Sequence, residues 1–124
     1  MDGFSGYNKI QIKPEDQHNT AFICPWRTFA YQKMPFGLKN AGATFQQAMT
    51  LIFHDLKLII EIFLDDLIAH SHMRMCHSYH LRLVFERWRH YLVRLNPHKC
   101  IFCVKSGRLL RFIISKEGIQ PFED

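Results

Sequence analysis

No stretch of this chain is apolar for long enough to cross a membrane. The longest such run, Leu58 to Leu67, is broken by Glu61 and by two aspartates, and a spanning helix needs about 20 apolar residues. The first residues, Met1-Asp2-Gly3-Phe4, have neither the basic region nor the apolar core of a secretory signal. Cysteine is sparse: Cys24, Cys76, Cys100 and Cys103 are scattered, as suits reduced intracellular thiols rather than a disulfide framework. Cys100 and Cys103, with His98 nearby, have the spacing of half a zinc site, but a second pair at a suitable spacing is missing. There is no internal repeat, low-complexity tract or long linker. Acids are scarce where bases are dense. From Arg74 to Arg111, nine Lys and Arg residues face a single acid, Glu86, a pattern that fits either a solvated helix face or a phosphate-tracking surface.

What is present is a globular composition. The 124 residues are 48% hydrophobic and 14% aromatic, with 11 Phe, a net charge of +5 and a pI near 9.2. That length is one domain or part of one, and the basic balance is compatible with a polyanionic partner.

The pattern predicts α+β. Ala21–Cys24 and Thr28–Tyr31 read as a hairpin across Pro25-Trp26-Arg27. Pro35-Phe36-Gly37 is a break, after which Phe45, Met49, Ile52 and Phe53 recur at helical spacing over 41–54, with Asn40 as N-cap candidate. Leu81, Val84, Phe85, Trp88 and Leu92 predict a second amphipathic helix with Arg and His outside, ended by Asn96-Pro97. Residues 100–104 and 109–115 read as strands around Ser106-Gly107. Two helices covering one face of an antiparallel sheet is the expected arrangement.

Between the helices lies the most informative segment. Asp65 and Asp66 sit between two apolar β-prone runs and predict a tight hairpin with both carboxylates at the bend. Two like charges 4 Å apart repel by about 4 kcal/mol at an effective dielectric near 20, so the pair calls for a cation or a strong donor set. The plain alternative is that Asp is a good turn residue. A third acid, Asp2, precedes the small-residue turn Gly3-Phe4-Ser5-Gly6. If this first segment pairs beside the aspartate hairpin, three carboxylates converge. Such a set suits Mg²⁺ or Mn²⁺, which take oxygen ligands and keep waters and substrate phosphates.

Three segments, in order, resemble the successive motifs of a reverse transcriptase of gypsy-type long-terminal-repeat retrotransposons, plant ones especially. They are Asp2–Tyr7, Met34–Gln46 and Phe63–Asp66. The resemblance continues through His77, His80–Arg82 and Leu95–Cys100 to Ser115–Ile119. It implies a polymerase palm that begins after the family's fingers and stops before its thumb, with 95–124 as the last hairpin and primer-grip region. The implied activity is RNA-directed DNA polymerase, a nucleotidyltransferase adding deoxynucleotides to a primer on an RNA or DNA template with two Mg²⁺ (or Mn²⁺) ions. By the same resemblance Asp2, Asp65 and Asp66 are the catalytic metal ligands. Tyr7 is the steric gate under the deoxyribose, with a core tyrosine as the alternative. Pro35, Phe36 and Gly37 form the loop beside the incoming nucleotide, and Lys99 lies near the triphosphate. Phe63 and Leu64 line the primer end, and Leu110 and Arg111 fall at the primer grip. Arg111 stands where the family usually has glycine in a Phe-Leu-Gly-like turn, and its Cβ and charge would clash with any positive φ there. Without fingers, thumb and RNase H regions the chain on its own is expected to be inactive. The rival reading is a non-catalytic nucleic-acid-binding or interaction remnant on a palm scaffold.

Overall fold

The computed structural model describes residue 1, residues 3–4 and residues 6–122; Asp2, Ser5, Glu123 and Asp124 lie outside the described residues. The architecture is α+β with antiparallel pairing throughout. Among the described residues that pairing is divided among three two-stranded sheets and one three-stranded sheet.

The central hairpin joins β4 (Ile60–Phe63) to β5 (Asp66–Ala69). Its register pairs Ile62 with Leu67 and Phe63 with Asp66. Side chains alternate across a pleated strand, so Ile60, Ile62, Leu67 and Ala69 share the inner face. All four belong to the core cluster or pack against it.

Helix α1 (Ala41–Ile52) covers β4. Ala41, Phe45 and Met49 are its buried stripe, at the i, i+4 spacing of one helix face. The Asn40 carbonyl accepts from the Thr44 N–H at 3.0 Å, but its side chain makes no cap bond. The helix stops two residues short of the predicted His54, because Phe53 turns into the core (1% exposed) and a 3-10 turn, His54–Leu56, follows.

Helix α2 (His77–His90) packs Val84 and Trp88 inward against β5. The Trp88 ring meets Phe53 edge-on at 5.6 Å. Two expectations change here. Phe85 (38%) and Leu92 (73%) are exposed, and the helix ends well before Asn96-Pro97. The stop is a hydrogen-bonded motif: the Val93 N–H reaches the Trp88 carbonyl and the Leu92 N–H that of Arg89, both at 3.1 Å. Leu92 itself sits at φ 53°, the left-handed position where glycine is usual. The freed chain forms β6 (Arg94–Leu95), which pairs with β1 (Gly3–Phe4).

Arg87 also departs from the outward position expected for the helix's arginines. Its guanidinium donates two bonds of 2.6 Å to the Asp55 carboxylate and a third, of 2.5 Å, to the Ile52 carbonyl. It thereby ties α2 to the exit of α1. These bonds hold the Asp55 carboxyl down at about 2, against an ordinary 3.8. A carboxylate with a depressed value stabilises the fold above its ordinary value and loses that contribution as pH falls through the depressed one. The melting-temperature gap between wild type and Asp55→Asn is therefore expected to be full at about pH 5 and to close near pH 2. A gap that stays constant in thermal melts across that range contradicts the assignment.

The C-terminal part differs most from expectation. Residues 100–104 form no strand; Cys103 takes φ 56°, which breaks the extended run. The single strand expected over 109–115 is a hairpin, β7 (Gly107–Leu109) and β8 (Phe112–Ser115), extended by β9 (Gly118–Pro121). The positive φ of its bend falls on Leu110 (55°), and Arg111 takes none. Among the described residues the core cluster and its half-buried surround end at Leu95, so this sheet stands outside the core.

Candidate active site

The site is built around the β4–β5 bend. Leu64 occupies the first turn position with φ 54°, a place usually held by glycine in two-residue hairpins. A left-handed leucine costs about 1–2 kcal/mol, and packing offsets it. Leu64 Cδ2 lies over Gly42, where an added Cβ would come within 3.3 Å. The first turn of α1, and with it the Met34–Gln46 segment, is thus docked on the aspartate bend.

Asp65 and Asp66 project from that bend and are exposed. Neither carboxylate has a hydrogen-bond or ion-pair partner among the described residues. Asp66 shares the outer face with its cross-strand partner Phe63, which is 47% exposed.

The first segment does run beside this hairpin. Met1 and Leu67 exchange backbone bonds, Leu67 N–H to the Met1 carbonyl at 2.9 Å and the Met1 amine to the Leu67 carbonyl at 2.6 Å. Asp2, the third expected carboxylate, lies outside the described residues. Among those described, no group of three His, Cys, Asp or Glu side chains is placed to hold a metal. The donor set that is described fits Mg²⁺ or Mn²⁺ in kind: two adjacent, solvent-facing carboxylates with oxygen-only chemistry and open positions for water or phosphate.

The aromatic residues of the first two segments meet one another. Tyr7 lies in the 3-10 turn Gly6–Lys9, its ring edge-on to Phe36 at 5.8 Å and tilted on Phe45 at 5.0 Å. Tyr7 is half-buried and packs on the core, whereas Phe36 is 85% exposed. Pro35 is half-buried, and Gly37 takes φ 101°, the turn that presents Phe36. The expected gate and loop residues are therefore neighbours.

One contact in this wall is not visible in sequence. Gly6 is buried, and a Cβ there would come within 2.6 Å of both Cε2 and Cζ of Phe45, a ring only 1% exposed. With no room to retreat, the ring is expected to make Gly6→Ala cost about 1–3 kcal/mol, read from urea unfolding. An unchanged midpoint would show that the ring can yield.

Three other expected residues lie on later turns of the chain. Lys99 closes the 3-10 turn Pro97–Lys99 and is exposed. Leu110 and Arg111 form the β7–β8 bend, where Arg108 Nε donates to the Leu110 carbonyl at 3.1 Å and the Phe122 N–H to that of Arg111 at 2.7 Å. Among the described residues, no hydrogen bond, ion pair or ring contact links this bend to residues 60–69.

Comparison with known proteins identifies the arrangement. Residues 1–114 match the family described as reverse transcriptase (RNA-dependent DNA polymerase). The Transposon Tf2-3 polyprotein of Schizosaccharomyces pombe is 29% identical over 125 residues, covering 100% of this chain and 9% of that protein. The Retrovirus-related Pol polyprotein from transposon 297 of Drosophila melanogaster is 34% identical over 122 residues, covering 98% and 12%. The chain thus spans roughly a tenth of the length of these curated relatives. Among solved structures, the foamy viral protease-reverse transcriptase with an RNA/DNA hybrid superposes with a TM-score of 0.82 at 22% identity, over 95% of this chain and 16% of that one. Its dRH form with double-stranded DNA gives 0.86 at 20% identity, over 97% and 21%. At that identity the likeness speaks for the fold, and it is the fold of the palm region. The chain belongs to the reverse transcriptase family.

Proposed function

We propose that this chain is the catalytic palm segment of an RNA-directed DNA polymerase from a gypsy-type long-terminal-repeat retrotransposon, plant-like in its motifs. The observation that carries the reading is the meeting of three segments: two of them dock on the exposed bend that the third forms. Leu64 seats on Gly42, Met1 pairs with Leu67, and Tyr7 ties the two docked segments together through Phe36, while the two aspartates of the bend have carboxylates without described partners. The substrates are an RNA or DNA template-primer and deoxynucleoside triphosphates.

Asp65 and Asp66, with Asp2, are the carboxylates that would hold the divalent ions. Bound there, two such ions supply activation of a primer 3′-hydroxyl and charge stabilisation of the departing pyrophosphate. The protein's own residues position the rest. Tyr7, braced by Phe45, limits the space under the sugar, while Pro35, Phe36 and Gly37 form the nucleotide's flank. Phe63 and Leu64 border the primer end. Lys99 serves the triphosphate, and Leu110 and Arg111, in the 95–124 portion, grip the primer. Four free cysteines suit a reducing, intracellular compartment, and among the described residues no helix is long and apolar enough to cross a membrane.

The chain spans roughly a tenth of the length of its curated relatives. The fingers and thumb that the resemblance implies hold the substrates are not in these 124 residues, so the chain assayed alone is expected to extend primers at background level with Mg²⁺ or Mn²⁺. Template-dependent, Asp65-dependent incorporation by the isolated chain would sink that expectation. The catalytic reading is tested by placing this chain in the matching segment of a complete reverse transcriptase. A chimera that folds and binds template-primer yet adds no nucleotide favours the second reading, a non-catalytic nucleic-acid-binding module. That reading draws on the nine bases set against one acid between Arg74 and Arg111 and predicts salt-dependent binding indifferent to Asp65→Asn.

A further inference from the structure

We infer that the hairpin spanning residues 22–29 is a stacking surface for single-stranded nucleic acid, separate from the aspartate bend. The two strands, β2 (Phe22–Ile23) and β3 (Thr28–Phe29), pair Phe22 with Phe29. Their rings lie 5.8 Å apart and stacked, and Tyr31 joins Phe22 at 5.4 Å. These three aromatics are 42%, 43% and 45% exposed, and Trp26 at the tip is 82% exposed. A short two-stranded ribbon with that much open ring surface is marginal in water.

The hairpin is nevertheless anchored at its base. The Tyr31 N–H donates to Thr20 Oγ1 at 2.9 Å, the Ile12 N–H to the Gln32 carbonyl at 2.9 Å and the Met34 N–H to the Ile10 carbonyl at 2.8 Å. The rings are therefore held out rather than frayed.

Charge selects the occupant. No acid occurs between Asp16 and Asp55, whereas Arg27, Lys33 and Lys39 lie in that interval. The Arg27 guanidinium sits 6.0 Å from the Phe29 ring centroid, on the aromatic face itself. The nearest acids before it, Glu15 and Asp16, are in the first turn of the 3-10 helix Pro14–Thr20, away from its Thr20 anchor. Exposed rings beside cations without acids are what base stacking and phosphate contact require. A protein partner would call for apolar cover without a need for an acid-free surround.

The experiment uses the full chain with EDTA present, so metal catalysis plays no part and its failure is separable from failure of the polymerase reading. A single-stranded oligonucleotide of about 12 residues is titrated while tryptophan emission and labelled-oligonucleotide anisotropy are followed. Of the two tryptophans, Trp88 is 3% exposed, so quenching by stacked bases reports Trp26. Quenching is expected, lost in Trp26→Phe, with affinity reduced about tenfold in Arg27→Ala and in Phe29→Ser. Lys57→Ala, an exposed lysine just after the His54–Leu56 turn, is expected to change affinity less than twofold. Arg27→Ala removes no core contact and keeps the test decisive if Phe29→Ser fails to melt cooperatively. The inference is overturned by unquenched Trp26, by wild-type affinity in Arg27→Ala, by equal affinity for duplex, or by hairpin-dependent self-association in sedimentation without oligonucleotide binding.

Discussion

Phe45→Ala is expected to cost about 3–5 kcal/mol, the range for emptying a fully packed aromatic site. Total stability of a single domain is about 5–15 kcal/mol, so the variant loses about a fifth or more of it, and its melting temperature falls by about 10–20 °C. The size of the effect follows from where the ring lies. Phe45 is 1% exposed, bears on Gly6 on one side and on Tyr7 at 5.0 Å, and belongs to the helix docked under the aspartate bend. Removing it leaves a cavity that the Gly6 turn can only partly fill. Combining the two changes tests the contact directly. In Gly6→Ala with Phe45→Ala the added methyl enters vacated space, so the double variant is expected to be more stable than the sum of the single losses. Strict additivity in urea unfolding would place the strain elsewhere.

Asp65→Asn carries the largest expected effect on chemistry. In the chimeric polymerase, losing one carboxylate from the proposed metal-binding set is expected to remove about 4 kcal/mol of transition-state stabilisation, about a thousandfold in rate. Because Asp65 is exposed and its carboxylate has no partner among the described residues, the same change should leave the melting temperature within about 1–2 °C. That separation is the informative part. A variant that loses activity and stability together would mark Asp65 as a structural turn residue, and one that keeps its rate would remove it from the site.

The parts of the fold readable from sequence are those where one residue pattern determines one local geometry. The alternation through Ile60–Phe63 and Asp66–Ala69 specified the hairpin, and the Phe45 and Met49 spacing specified α1. Misreadings occurred where the backbone took a left-handed angle without glycine. Leu92 ended α2 early, and Leu110 split a strand into a hairpin, because local hydrogen bonds at both places stabilise an angle that leucine disfavours. Residues 100–104 look like a strand by composition, yet a strand exists only where a partner ladder does, and pairing partners are not written locally. The same limit applied to the site. The aspartate pair was plain in sequence, but the contacts of Leu64 with Gly42 and of Gly6 with Phe45 arise only when distant segments meet.

The placement of β7–β9 outside the core has a consequence for cooperativity. A sheet that lends no side chain to the Phe45–Leu67–Val84 cluster can open without unpacking that cluster, so its amide protons exchange by a sub-global route. Sequence drift within Gly107–Pro121 is then invisible to the stability of the aspartate hairpin, and this portion can diverge while the hairpin stays constant. The two halves of the chain are then free to answer to different constraints.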